Sequence, residues 1–140
     1  MLKYLAWLAV GMGVSLPVAA EVIQDYQSPG CRYEGAVGAD GKPEGKGVWQ
    51  CRDGRSYTGQ FKQGRFNGKG VYSVRAEKTV FLEPFNANST KLRNMDLDGR
   101  FKNGVADGRF NVSQDGAPLF VMTFDKGMMK EVVMPKNAKK

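Results

Sequence analysis

The chain has 140 residues, with 21 lysines and arginines against 14 acidic residues and no histidine. That length favours a single domain, and a chain without histidine lacks the commonest general base and metal ligand of proteins. The formal charge of +7 suits an anionic surface or an acidic protein as partner, and it is also ordinary for a soluble basic protein.

The first predicted element is a secretory signal peptide over residues 1–20. Lys3 precedes an apolar run that ends in small residues, with Val18 and Ala20 at the spacing that signal peptidase recognises. We predict cleavage after Ala20 and, because the region before the apolar run is as short as in bacterial signals, a periplasmic protein. A retained membrane anchor is the alternative, although the run is shorter than the roughly 20 residues that a span needs.

Two cysteines, Cys31 and Cys51, follow the predicted cleavage site. In an oxidising compartment the expected state of such a pair is a disulfide. A redox-active pair is the alternative, but it needs an exposed thiol of low pKa and no C-x-x-C motif is present. Two cysteines without histidine do not make a zinc site. We therefore expect no metal and no cofactor.

Further along, the chain repeats itself at an interval of 23 residues. GKGVW at Gly45 recurs as GKGVY at Gly68, and FKNG at Phe101 recurs as FDKG at Phe124. FKQG at Phe61 stands 40 residues before FKNG, so about 17 residues are inserted between the second and third copies.

These units resemble the MORN repeat family, whose pattern reads roughly Y-x-G-x-[FW]-x-x-G-x-x-x-G-x-G. The agreement is closest over residues 57–74, at the following positions: Tyr57, Gly59, Phe61, Gly64, Gly68 and Gly70. We place repeats at about 33–54, 57–76 and 97–116, with a degenerate unit at 119–130. The domain is then 21–130, followed by a basic tail at 131–140. The resemblance implies an all-β fold: an elongated, curled antiparallel sheet of consecutive hairpins.

The residues also predict hairpins without the family pattern. Strict alternation over SYTGQF and KGVYSV, joined by KQGRFNG, is typical of a β-hairpin. Gly64 is expected to supply a positive φ in its turn. Symmetric pairing sets Tyr57 opposite Tyr72.

The same register in the first unit sets Tyr33 opposite Trp49. Two residues further out, it sets Cys31 opposite Cys51. Directly opposed residues have Cβ atoms about 4.5–5.5 Å apart, so this register brings the two sulfurs near disulfide distance.

Alternation sorts the side chains onto two faces of the predicted sheet. On one face, the side chains predicted to contact a protein partner are Tyr33, Trp49, Tyr57, Phe61, Tyr72 and Phe101. On the other, the candidates for an anionic surface are Lys46, Lys62, Lys69, Arg100, Lys102 and Arg109. We call these the aromatic face and the basic face. Glycines let the rings of one strand lie over the bare backbone of the next.

A single curled sheet cannot bury a whole aromatic face by itself. The insert around residues 77–95, with Phe81, Leu82 and Phe85, can cover it, and so can the apolar C-terminal segments. A second copy of the chain, forming a homodimer, or a protein partner can equally supply the cover.

The expected function is binding. The chain has no G-x-S-x-G serine, no cysteine with a plausible base and no phosphate loop, so we expect no enzymatic activity. We also expect no nucleic-acid partner. The MORN resemblance implies a periplasmic adaptor that binds a protein of the cell envelope, here through the aromatic face. The alternative is binding of anionic lipid or lipopolysaccharide head groups through the basic face, where each Lys or Arg contributes about 1 kcal/mol.

Overall fold

The computed structural model describes residues 20–135, which contain strands and two 3-10 turns but no α-helix. The all-β prediction is confirmed. The predicted signal peptide lies outside the described residues except for Ala20, and so does the tail beyond residue 135. Within the described part, no helix is long and apolar enough to cross a membrane.

Nine strands form one open antiparallel sheet. In sheet order they are β1 Glu21–Gln24, β2 Cys31–Val37, β3 Pro43–Cys51, β4 Arg55–Lys62, β5 Arg65–Val74, β8 Met95–Lys102, β9 Val105–Gln114, β10 Ala117–Asp125 and β11 Met128–Val133. Two short strands within the insert, β6 Phe81–Leu82 and β7 Ala87–Asn88, pair separately. The sheet is a run of consecutive hairpins, as the repeats predict, with β1 and β11 at its edges.

The edge strands extend the sheet beyond the predicted repeats. β1 precedes the first repeat and pairs with β2, where Ile23 stands opposite Tyr33. β11 reaches Val133, which pairs with Val121, so three residues that the sequence assigned to the tail belong to the sheet. β1 is four residues long and has no repeat motif beside it, and β11 follows FDKG but extends past the predicted end of the degenerate unit at residue 130.

The predicted register is confirmed in both hairpins. Tyr57 pairs with Tyr72, and Tyr33 with Trp49. Cys31 pairs with Cys51, with 3.9 Å between their Cα atoms, and the two sulfurs form a disulfide.

The hairpin turns share one design. At one end of the sheet, three turns each place two successive residues at positive φ: Gln63–Gly64, Asn103–Gly104 and Lys126–Gly127. Two central residues of positive φ define the type I′ turn, whose twist matches that of paired strands. Gly64 therefore has the predicted conformation, and Gln63, which the sequence did not mark, shares it at φ 51°.

The aromatic face is the core of the molecule. A Cβ built on Gly47 would lie 2.3 Å from Cε1 of Tyr33, and one on Gly70 would lie 2.4 Å from Cε1 of Tyr57. No side chain fits under either ring, so the rings do lie over bare backbone, as predicted. Edge-to-face contacts then connect the stacked units, for example Tyr57 to Phe101 at 5.0 Å between ring centroids.

Two segments cover this face from above. In the insert, the buried ring of Phe85 lies 5.2 Å from Tyr72 and 5.5 Å from Phe110, edge to face in both cases. Near the N-terminus, the Tyr26 carbonyl accepts a hydrogen bond from Nε1 of Trp49 at 3.1 Å. The hydroxyl of Tyr26 donates a second hydrogen bond, to the carbonyl oxygen of Gly64 at 2.5 Å. The chain thus supplies most of its own cover.

Candidate binding site

The six aromatic side chains predicted to contact a partner lie in the core. Their exposure is 0–3% in Tyr33, Trp49, Tyr57, Phe61, Tyr72 and Phe101. That they contact a partner stays a prediction. A partner reaches such rings only where the cover leaves an opening or where the cover moves away.

One opening does lie over the aromatic face. It is a groove of about 640 Å³ between residues 26–28 and the start of the insert at Glu83 and Pro84. Trp49, Phe66 and Tyr72 form its floor. The rim includes Lys42, Arg55, Gln63, Arg65, Asn103 and Val105. We call this opening the aromatic groove. Of the six predicted residues it brings Trp49 and Tyr72 together, and the other four lie outside it.

Phe66 is the floor residue that the sequence analysis missed. Phe66 lies on the same alternation as Gly70 and Tyr72 in β5, but it falls in KQGRFNG, the segment that the sequence analysis assigned to the connection between the strands. The repeat did carry a signal. The equivalent positions in the neighbouring hairpins hold Pro43 and Ala106, which are apolar and buried as well.

Arg55 is a charged rim residue whose guanidinium is held above the floor of the groove. Its guanidinium pairs with Asp53 at 2.9 Å and lies 5.4 Å above the ring of Trp49, with 14% of the side chain exposed. The carboxylate and the ring hold the guanidinium in one place, which favours recognition of a fixed acceptor. Desolvation raises the pKa of Tyr72 beneath it, so this phenol stays a neutral hydrogen-bonding group.

The six cations of the predicted basic face do not form one patch. Lys62, Arg100 and Lys102 line a cavity where the hairpin turns meet. Lys46 and Lys69 border a shallow cleft on the non-aromatic side, with Val48 and Val71. Arg109 lines neither opening.

The C-terminal end of the sheet shows an apolar surface that the sequence did not predict. Phe81, Met128 and Met129 are each 51% exposed beside the open edge of β11. Phe81 was expected among the residues that cover the core, but it points away from it, and Leu82 and Phe85 do the covering. In residues 20–135, no group of three or more Cys, Asp or Glu side chains is placed to hold a metal ion.

Comparison with known proteins identifies the repeats. The family model described as MORN repeat matches residues 33–54 and 57–73, the first two predicted units. An inactive protein tyrosine kinase, pTKL, of Plasmodium berghei (strain Anka) is 29% identical over 83 residues. The match covers 54% of this chain and 6% of that protein, so the chain spans a small part of the relative's length.

Proposed function

Because this chain is a MORN-repeat protein, we propose that it is a non-catalytic, periplasmic adaptor that binds a protein of the bacterial cell envelope in the aromatic groove. MORN repeats are non-catalytic and generally mediate binding to proteins or membrane lipids. The observation that carries the proposal is the opening above Trp49 and Tyr72, in a face that is otherwise covered. Tryptophan, tyrosine and arginine are the residues on which protein interfaces most often depend.

The groove favours an extended segment that carries both apolar and acidic side chains. Its volume of about 640 Å³ accommodates a few side chains rather than a folded domain. Its rim carries Lys42 and Arg65 against the single acid Glu83, and Arg55 is already paired with Asp53. A segment with acidic residues flanking an apolar one therefore complements both the floor and the rim.

Export to the periplasm rests on the predicted signal peptide and on the disulfide. A disulfide between Cys31 and Cys51 persists in an oxidising compartment and is rare in the reducing cytoplasm.

A substitution on the rim of the groove tests the adaptor proposal without removing a side chain from the core. Val105→Glu adds a negative charge at the half-buried edge of the groove, where an acidic segment would meet it. We expect recovery of the partner from cells to fall about tenfold, with the melting temperature within a few degrees of the parent protein. Lys69→Glu is the matched control, because it adds negative charge on the non-aromatic side. Equal recovery with Val105→Glu, or loss with Lys69→Glu alone, would refute the proposal.

The second candidate function is binding of anionic lipid or lipopolysaccharide head groups through the basic face. The observation in its favour is that Lys46, Lys69 and Arg109 are exposed and make no ion pair within the described part of the chain. On this account, co-sedimentation with anionic vesicles falls steeply as salt rises. The effects of the two variants are then exchanged: Lys69→Glu weakens binding to the vesicles, and Val105→Glu does not.

A further inference from the structure

The hairpin turns are fastened to one another along one end of the sheet. The Gln63 N–H donates to Glu44 Oε1 at 3.0 Å, and the Asn103 N–H donates to Asn67 Oδ1 at 3.0 Å. Beside each bond, the following glycine N–H reaches the carbonyl of the preceding hairpin: Gly64 to Pro43 and Gly104 to Phe66, both at 2.9 Å. Side chains that project from these turns therefore start from a fixed backbone.

A cavity of about 880 Å³ lies among these turns, and we call it the tip cavity. Five cationic side chains line it: Lys42, Lys62, Arg65, Arg100 and Lys102. Only two acids line it, and each accepts a backbone N–H: Asp40 from Lys42 at 3.0 Å and Asp107 from Lys126 at 3.3 Å. The volume lies within the usual range of small-molecule sites, and the lining carries three more positive than negative charges.

Among residues 20–135, no carboxylate lies within 4.0 Å of a charged nitrogen of these five cations. Among residues 20–135 the ion pairs are Arg32–Glu34, Arg55–Asp53 and Arg75–Asp96. All three lie toward the opposite end of the sheet, where Cys31 and Cys51 meet. At the tip end, five cations instead share one cavity with two carboxylates.

Arg100 shows this arrangement most directly. It pairs across the sheet with Lys69, and like charges in directly opposed positions destabilise a sheet. Three arginines toward the other end of the sheet pair with carboxylates, whereas Arg100 lines the cavity without such a partner among residues 20–135, and Lys69 lies outside the cavity. A bound anion would remove the repulsion.

We infer that the tip cavity binds a ligand carrying two or more phosphoryl groups. Two arginines offer planar, bidentate donors to phosphoryl oxygens, and three lysines add mobile point charges. The amide side chains of Gln63, Asn67 and Asn103 line the same cavity and supply neutral hydrogen-bonding groups. The cavity shares Lys42 and Arg65, which the sequence did not single out, with the rim of the aromatic groove, whereas Lys62, Arg100 and Lys102 line the cavity and not the groove. It is a different site from the surface of Lys46, Lys69 and Arg109 on which the second candidate function rests.

Calorimetry with tripolyphosphate tests the inference on the mature chain. The double variant Lys62→Gln and Lys102→Gln removes two cavity charges and replaces no residue that lines the aromatic groove. Lys78→Gln with Lys130→Gln is the matched control, because it removes two exposed lysines that line neither the tip cavity nor the cleft beside Lys46 and Lys69. We expect the cavity variant to bind about tenfold more weakly or worse, and the control to stay within about twofold.

Three results would overturn the inference: no tripolyphosphate binding at low salt, equal losses in the two double variants, or citrate binding as tightly as tripolyphosphate. Equal losses of affinity would mean that the overall positive field of the protein attracts tripolyphosphate without a specific site. When the inference holds, competition by vesicles that carry a doubly phosphorylated lipid identifies a membrane source of the ligand. Without competition, the source is a soluble polyphosphorylated molecule. Loss of tripolyphosphate binding leaves the Val105→Glu test of the adaptor unaffected, so the two proposals fail separately.

Discussion

The substitution Gly47→Ala tests whether glycine is required beneath a core ring. Gly47 is buried in β3 opposite Gly35, and its φ is not positive, so alanine brings no backbone strain. The new Cβ would lie 2.3 Å from Cε1 and 2.4 Å from Oη of Tyr33, where an ordinary contact is 3.4–4 Å. The ring must therefore move by roughly 1 Å to restore normal packing.

The cost of that movement follows from what holds the ring. Tyr33 is fully buried, and its hydroxyl donates to the carbonyl of Ala36 at 2.5 Å. Overpacking of a core costs about 1–3 kcal/mol, and a strained hydrogen bond adds about 1 kcal/mol. Alanine recovers about 0.5–1 kcal/mol of backbone entropy. We expect the free energy of unfolding to fall by about 2–3 kcal/mol.

Urea unfolding followed by tryptophan fluorescence measures this change. Gly38→Ala is the matched control, because its added Cβ would meet nothing closer than 3.4 Å and its φ is not positive either. We expect that control to stay within about 0.5 kcal/mol of the parent protein. The double variant Tyr33→Leu with Gly47→Ala should lose less free energy of unfolding than the sum of the two single variants, because the clash needs both the tyrosine ring and the alanine Cβ. A Gly47→Ala protein as stable as Gly38→Ala would refute the account of the core.

Three further predictions concern the whole chain. Replacing Cys31 and Cys51 by serine should lower the free energy of unfolding by about 3 kcal/mol, because the disulfide joins residues 20 apart in sequence. Urea titration measures this change, and an unchanged midpoint of urea unfolding would contradict the prediction. Desolvation, with a smaller contribution from Tyr26, raises the pKa of Tyr33 to about 12. The unfolded chain therefore ionises first as pH rises above about 10. Tyr33 alone should then lower the free energy of unfolding by about 1.4 kcal/mol per pH unit until its folded pKa is reached, and Tyr26, Tyr57 and Tyr72, whose pKa values are also raised, should steepen the fall. A tyrosinate absorbance midpoint near 10 in the folded protein would be inconsistent with this. Light scattering of the mature chain should give the monomer mass, because one chain covers most of its own aromatic face; a dimer mass would mean that a second copy completes the cover.

Much of the fold was predictable because the repeat fixes the register. One clean unit at residues 57–74 sets Tyr57 opposite Tyr72, and the same offset sets Cys31 opposite Cys51. Alternation with a period of two residues and a glycine at the turn are local properties, so they can be recognised in a single sequence. β1 carries no repeat motif and β11 follows only the degenerate unit, so their pairing depends on neighbours that the sequence pattern does not specify.

The candidate sites were less predictable because they depend on distant contacts. Alternation identified the aromatic face correctly but could not say that Phe85 would cover it while leaving an opening above Trp49. Alternation also grouped six cations by face. It could not separate those at the tip cavity from Lys46 and Lys69, because the cavity is formed by turns from three hairpins.

Photo-crosslinking in the periplasm tests the central claim most directly. A crosslinking amino acid is placed either at Val105, on the rim of the aromatic groove, or at Lys69, on the non-aromatic side. Our account predicts one discrete protein adduct from position 105, with the contact mapping to a segment of apolar and acidic residues, and none from position 69. An adduct from position 69 with none from position 105 would contradict it.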